Sequence, residues 1–315
     1  MQQRSFGSVE YDHTKVKTRR QRFLERMEGL VPWEELAQRI APVYPQPGRG
    51  RRPYPLRVML RIHCLQLWFN LSDPGMEEAL YDSRSMLEFA GLSLSEPIPD
   101  ETTILHFRHL LERHQLGTAL FATINAHLAR QGLQVREGTI VDSTIISAPS
   151  STKNRARARD PEMHQTRKGR QWYFGMKLHT GTDARTGLVH SLHTTAAHVA
   201  DVTAAHRLLH GAETEAWGDA GYQGAERRPE HAAAGVRWRV ALRPGLRRRL
   251  APESAAARVE REKAARRAKA EHPFLTVKRC FGYATVRYRG LEKNRQRLAL
   301  LLGFANLLRA APQLA

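Results

Sequence analysis

"GTIVDSTIIS", residues 138–147, is where the chain changes from helical texture to strand texture. β-Branched residues dominate it, and these favour the pleated, half-buried surface of a sheet. In a strand, Ile140, Asp142, Thr144 and Ile146 share one face. Asp142 is then an acid among apolar neighbours. An ionised carboxylate there costs several kcal/mol unless it is paired or bound to a metal.

Downstream, "QWYFGMKLHTGTD" and "GLVHSLHTTAA" read as an antiparallel hairpin turning through Asp183, Ala184, Arg185 and Thr186. "VADVTAAHRLLHG" reads as a helix closed by Gly211, and "TEAWGDAGYQG" and "VRWRVALRP" as further strands. Strands and helices in this order predict an α/β fold, a mixed sheet with helices on its faces. Asp219, between the glycines of "WGDAGYQG", ends the second apolar strand. It has two readings, a turn residue or an acid held for a metal or a phosphate. Trp172, Tyr173 and Phe174 are expected to pack in the strand core rather than to stack on a base.

Upstream, residues 1–135 read as an all-helical domain. "RRQRFLERMEGLVPWEELAQRI", "LRVMLRIHCLQLWFNL" and "PDETTILHFRHLLERH" carry helical spacing, with Asp100 as an N-cap. "VYPQPGRGRRPYP" interrupts them and carries Arg49, Arg51 and Arg52, either in a loop or on DNA. Arg108, His109, Arg113 and His114 fall off the apolar stripe of their helix, as a solvated face or as phosphate contacts.

The chain of 315 residues carries a formal charge of +19, which points to a polyanionic partner. No run approaches the ~20 apolar residues of a spanning helix. The two cysteines are far apart and form no disulfide framework, which suits a reducing, cytosolic setting. Residues 246–270 form a basic, alanine-rich segment, helical or partly disordered. Arg247, Arg248, Arg249, Arg258, Arg261, Lys263, Arg266, Arg267 and Lys269 in it, with Lys278, Arg279 and Arg287 beyond, favour phosphate contact.

Two acids brought together by a sheet repel one another, and a hard divalent cation such as magnesium or manganese resolves the conflict. Glu271 in "KAEHPFLTVKRCFG" is the candidate third acid. It is expected to open a helix near Pro273, with Lys278 returning to nearly the same side. His206 and His210, four apart, lack the further ligands of a zinc site and read as surface or core histidines. No nucleophile elbow accompanies Ser143 or Ser147.

"VDSTIISAPSSTKN", "HVADVTAAH", "WGDAGYQG" and "EHPFLTVKRCFGYATVRYRGLEKN", together with "GRGRRPYPLRVMLRIHCLQLWFNLSDPGMEEALYDS" and "PDETTILHFRHLLE", resemble the DDE transposases of bacterial insertion sequences. Insertion sequence family five is the nearest group, and the likeness spans about residues 4–310. The resemblance implies a ribonuclease-H-like catalytic domain over residues 136–315, with a basic helical insertion near 246–270. Residues 1–135 would serve DNA binding and multimerisation. It places the catalytic, metal-binding acids on Asp142, Asp219 and Glu271, around two Mg2+ or Mn2+ ions. Arg267 and Lys278 take the family's basic positions, and Ala264 stands where the wider pattern has a tyrosine. The expected partners are double-stranded DNA, as terminal inverted repeats and target, and further copies of the chain. The expected setting is the cytoplasm, on the bacterial nucleoid. Two other classes share part of this pattern. A nuclease that joins no strands would use the same acids, and a non-catalytic DNA-binding regulator would have no use for them.

Overall fold

The computed structural model describes residues 16–48, 52–93, 95–133, 137–155, 157–232 and 235–314. Its first part is helical: α1 (Arg19–Leu30), α2 (Trp33–Ile40), α3 (Leu56–Trp68), α4 (Asp73–Asp82), α5 (Arg84–Ala90), α6 (Glu101–Arg113) and α7 (Leu116–Arg130). The starts follow local chemistry. Thr18 and Gln21 form a capping box on α1, and Asp100 caps α6 by accepting from Thr103 N at 2.7 Å.

The strands follow: β1 (Gly138–Ser147), β2 (His164–Lys168), β3 (Gln171–Asp183), β4 (Val189–Ala196), β5 (Glu215–Gly218) and β6 (Arg237–Val240). The sheet runs β2-β3-β1-β5-β6, with β4 also paired to β3. The β1–β5 and β5–β6 pairs are parallel and the others antiparallel, so the sheet is mixed. The β3–β4 hairpin turns where expected, with Asp183 Oδ1 accepting from Arg185 N at 2.9 Å and Thr186 N at 2.6 Å. β2 escaped the sequence reading because its residues are mostly exposed and polar, without apolar alternation. Trp172 corrects an expectation: it is 65% exposed rather than packed in the core.

"VADVTAAHRLLHG" also departs from its reading. It makes one α-helical turn, Asp201–Ala204, and one 3-10 turn, Ala205–Leu208. The segment lies hard against the strands. Leu208 O accepts from Ser191 Oγ at 2.5 Å, and a Cβ at Gly181 would come within 2.4 Å of that oxygen.

Two long helices complete the chain, α8 (Ala255–Leu275) and α9 (Leu291–Leu314). α9 is buried without a break from Gln296 to Leu307, with apolar residues on every side and its polar members Gln296, Arg297 and Asn306 hydrogen-bonded to Glu292, Tyr288 and Asn125. It packs on α1, α3, α7 and β4, and one hydrophobic core extends from Leu24 to Ala310. α7 and α9 approach so closely that a Cβ at Gly117 would lie 2.3 Å from Gln296 O. Buried Asn306 ties α9 to β4 and α7, donating to Val189 O at 2.7 Å and Asn125 Oδ1 at 2.8 Å.

α8 crosses β1, β3 and β5. Its start is set by Ser254, whose hydroxyl accepts from Ala257 N at 3.2 Å. Glu271 therefore lies near the far end of α8 rather than at a helix start, and Pro273 sits inside the helix rather than in its first turn. Proline has no N–H for the helical ladder. Just beyond it the winding loosens into a π-helical turn, Thr276–Cys280, where Phe281 N donates to Thr276 O at 3.0 Å.

Candidate active site

β1 and β5 run parallel with Ile140 opposite Trp217. Two residues further along each strand come Asp142 and Asp219. Neighbouring strands lie about 4.8 Å apart, so the sheet brings these acids alongside one another at the carboxyl end of β5. Asp142 is half-buried, and its Oδ1 accepts from Ser143 N at 2.8 Å. Asp219 is the N-cap of the 3-10 turn Ala220–Tyr222, its Oδ1 accepting from Gly221 N at 2.8 Å. The turn reading of Asp219 is thus correct locally, and among the described residues the second carboxylate oxygen has no hydrogen-bond partner.

Burial pushes the Asp142 carboxyl up to about 6, the negative charge of Asp219 adds to the shift, and Arg267 opposes it. Arg267 comes from α8. Ala270, on the same helix, is fully buried against Ile140, Ala184 and Trp217 and so presses α8 onto the two acid-bearing strands. Glu271 follows Ala270 and stands one helical turn from Arg267. It is exposed. Lys278, on the π-helical turn, donates from Nζ to Thr144 Oγ1 at 2.6 Å. Thr144 lies two residues from Asp142 on the same strand face, so Lys278 reaches the acid site from just beyond α8. Burial lowers the Lys278 ammonium's pKa, with Lys168 contributing.

The donor set suits a hard divalent cation. Among the described residues none of the three acids is ion-paired, and carboxylate oxygens are the ligands magnesium and manganese take. The acids are not drawn tightly together, however. Among the described residues, the group of three ligating side chains with ligand atoms within 4.8 Å of one another is His190, His210 and Glu213. Its members already bond within the protein. Glu213 accepts from His210 N at 2.5 Å, Gly211 N at 2.7 Å and Thr139 Oγ1 at 2.9 Å, and His190 Nε2 lies 3.0 Å from Thr139 Oγ1.

The basic residues sort into two groups. Arg108, expected at DNA, is instead buried in the helical core. It pairs with Asp73 at 2.8 Å and Glu112 at 2.7 Å, and its guanidinium lies over the Tyr288 ring. Lys263, Lys269 and Arg287, also expected at phosphates, make hydrogen bonds within the chain. Lys263 bonds Val240 O, Lys269 bonds Ala184 O and Arg185 O, and Arg287 bonds Asn70. Arg266 lies over the Trp217 ring, 5.0 Å from its centroid. Arg52, Arg247, Arg248 and Arg249 are exposed, while Arg49 and Arg51 lie outside the described residues.

Sequence reasoning did not single out Asp201 or Tyr222. Asp201 Oδ1 lies 3.0 Å from Lys177 Nζ. Tyr222 is buried under Gly218, with no hydrogen-bond partner for its hydroxyl among the described residues. The available signal was their place inside the motifs "HVADVTAAH" and "WGDAGYQG".

Among the described residues no helix is long and apolar enough to cross a membrane. A family profile described as Transposase DDE domain matches residues 133–307, and a second, described as Transposase domain (DUF772), matches residues 12–110. The first contains all three acids, and it implies a ribonuclease-H-like fold, DNA as substrate and use of divalent metal; the six-stranded mixed sheet flanked by helices agrees. No solved structure matches the chain.

Proposed function

The chain belongs to the DDE transposases, and we propose that it binds the terminal inverted repeats of an insertion sequence resembling family five, cuts the DNA there and joins the ends to a target. The observation that carries this reading is the parallel β1–β5 register, which aligns Asp142 with Asp219 beneath the helix bearing Arg267 and Glu271.

Asp142, Asp219 and Glu271 would hold Mg2+ or Mn2+, as a pair of ions. When bound, such ions stabilise charge on the phosphate and lower the pKa of water. The chain's own groups do the rest. Arg267 balances the acids' charge. Lys278, held by Thr144 beside Asp142, offers its ammonium to a non-bridging phosphate oxygen of the transposon end. In the first reaction, water breaks a P–O3′ bond and leaves a 3′-hydroxyl. That hydroxyl then attacks a target phosphodiester, forming one P–O bond and breaking another, so no external energy source is required. Handling two ends calls for two sites, which fits a homo-oligomer on DNA at the bacterial nucleoid.

Alanine at Asp142, Asp219 or Glu271 is expected to abolish cleavage of end-containing DNA while binding persists. Lys278→Ala is expected to weaken binding or end positioning instead. A gel-based nicking assay beside a binding assay reads both, and an Asp219→Ala protein that nicks at the wild-type rate refutes the assignment. Strand transfer of pre-cleaved ends separates a transposase from a nuclease.

A further inference from the structure

The 3-10 turn that Asp219 caps packs against a second turn, Asp201–Ala204. Asp201 opens that second turn and is held from one side. Its Oδ1 lies 3.0 Å from Lys177 Nζ, and Lys177 also donates to Val199 O at 2.7 Å, so the ammonium is fixed in turn. The other oxygen, Oδ2, borders Gly221. A Cβ at Gly221 would stand 3.8 Å from Asp201 Oδ2 and 3.0 Å from Asp219 Oδ1. The Gly221 backbone is not left-handed, so its conformation does not call for glycine. What glycine leaves there is room between two carboxylates.

Two buried polar side chains stand at the same place. Tyr222 is 1% exposed, and its hydroxyl has no hydrogen-bond partner among the described residues. Burial raises the pKa of that hydroxyl, and of the charges around it Asp201 adds most, ahead of Asp142 and Asp219. His179, fully buried, brings Nδ1 within 3.8 Å of Asp201 Oδ1, and that nitrogen too lacks a hydrogen-bond partner among the described residues. Burial lowers the His179 pKa, so at neutral pH the ring is uncharged and Lys177 carries the charge that balances Asp201. Buried donors are normally paired, and a third acid beside two others adds to their mutual repulsion. A hydrated cation answers both, because magnesium keeps several of its waters when bound.

We propose that Asp201 is a positioning residue of the acid site, a fourth carboxylate that Lys177 fixes behind Asp219. Its second oxygen takes hydrogen bonds from the water ligands of the cation held there, and the Tyr222 hydroxyl joins the same network. The proposal rests on the acid-site reading and adds the layer that supports the ligands. Loss of such outer partners typically lowers metal affinity about 10–100-fold.

Calorimetric titration of the full-length protein with Mn2+, without DNA, tests this. Asp201→Asn keeps an oxygen for Lys177 and is expected to weaken Mn2+ binding about tenfold, with Tyr222→Phe weakening it less. Thr203→Ala removes the hydroxyl that bonds Ala200 O at 2.6 Å on the same turn and changes no charge; it should bind Mn2+ as wild type does. Wild-type affinity in Asp201→Asn overturns the proposal. An equal loss in Thr203→Ala also overturns it, by tracing the effect to packing of the turn. If circular dichroism shows Asp201→Asn unfolded, Lys177→Gln is the second probe, since it releases Asp201 from its anchor and keeps the carboxylate. Unchanged Mn2+ affinity in that variant overturns the proposal equally. A wild-type protein that takes up no Mn2+ at millimolar concentration, or an Asp219→Ala protein that binds it unchanged, removes the acid-site reading itself and this proposal with it.

Discussion

Asp142 concentrates the site's electrostatics in one side chain. Its carboxyl is raised from an ordinary value of 3.8 to about 6, chiefly by burial and further by Asp219. A raised acid binds more protons folded than unfolded between these values, so its contribution to stability falls as pH rises through that window and stays low above it. Asn keeps the shape and removes the charge. In metal-free buffer Asp142→Asn should match wild type near pH 4 and exceed it at pH 7. The full shift corresponds to about 3 kcal/mol, and partial solvent access reduces the expected gain to about 1–2 kcal/mol. Denaturant melts at the two pH values measure it; equal stabilities at pH 7 would show that the acid bears no such cost. Asp142 was legible as an acid out of place because the β-branched run around it allowed only a strand. Arg108 misleads for a different reason. Its exclusion from the apolar stripe suggests exposure, whereas Asp73 and Glu112 provide a polar enclosure inside the helical core. Periodicity distinguishes apolar from polar faces, but it cannot show which polar face meets another polar face.

At the scale of elements, α7 and α9 leave no room between their backbones for a side chain at the crossing. A methyl group at Gly117 would meet the Gln296 backbone rather than a yielding side chain. Gly117→Ala is therefore expected to cost about 1–3 kcal/mol, as overpacking does, despite alanine's better helix propensity. A stability gain in urea denaturation would contradict the close approach. Legibility varied by element for physical reasons. β1, the β3–β4 hairpin and the Asp100 cap of α6 carry local signals of branching, turn chemistry and capping. β2 carries none, because its partners rather than its own residues make it a strand. Pro273 draws the expected start of α8 too far along the chain, since proline is commonest at helix beginnings. Here the preceding turns are alanine-rich and stable enough to run into it. Placing Glu271 at a helix end was right in kind and wrong in direction. Its neighbour Ala270, not a cap, holds it over the strands.

For the molecule as a whole, one core joins what the sequence divides at residue 135. α9 buries its full circumference among helices from the first part of the chain and β4 from the second. A fragment of residues 136–315 would expose the α9 faces that α1, α3 and α7 cover. It should aggregate or lack cooperative unfolding, while the full chain shows a single transition. A monodisperse fragment with a sharp thermal melt would count against this. The change in texture at residue 138 was readable, but the later return of the chain to the first helices was not, because a helix with apolar residues on every side has no single face that names its partner. That return also bears on synthesis. Asp142 and Asp219 leave the ribosome well before α9, the last element described, so an unfinished chain carries acids without the axis that rigidifies their scaffold. Cutting competence is then expected to wait for the synthesis of α9, and a nascent chain that stops short of it should not nick DNA.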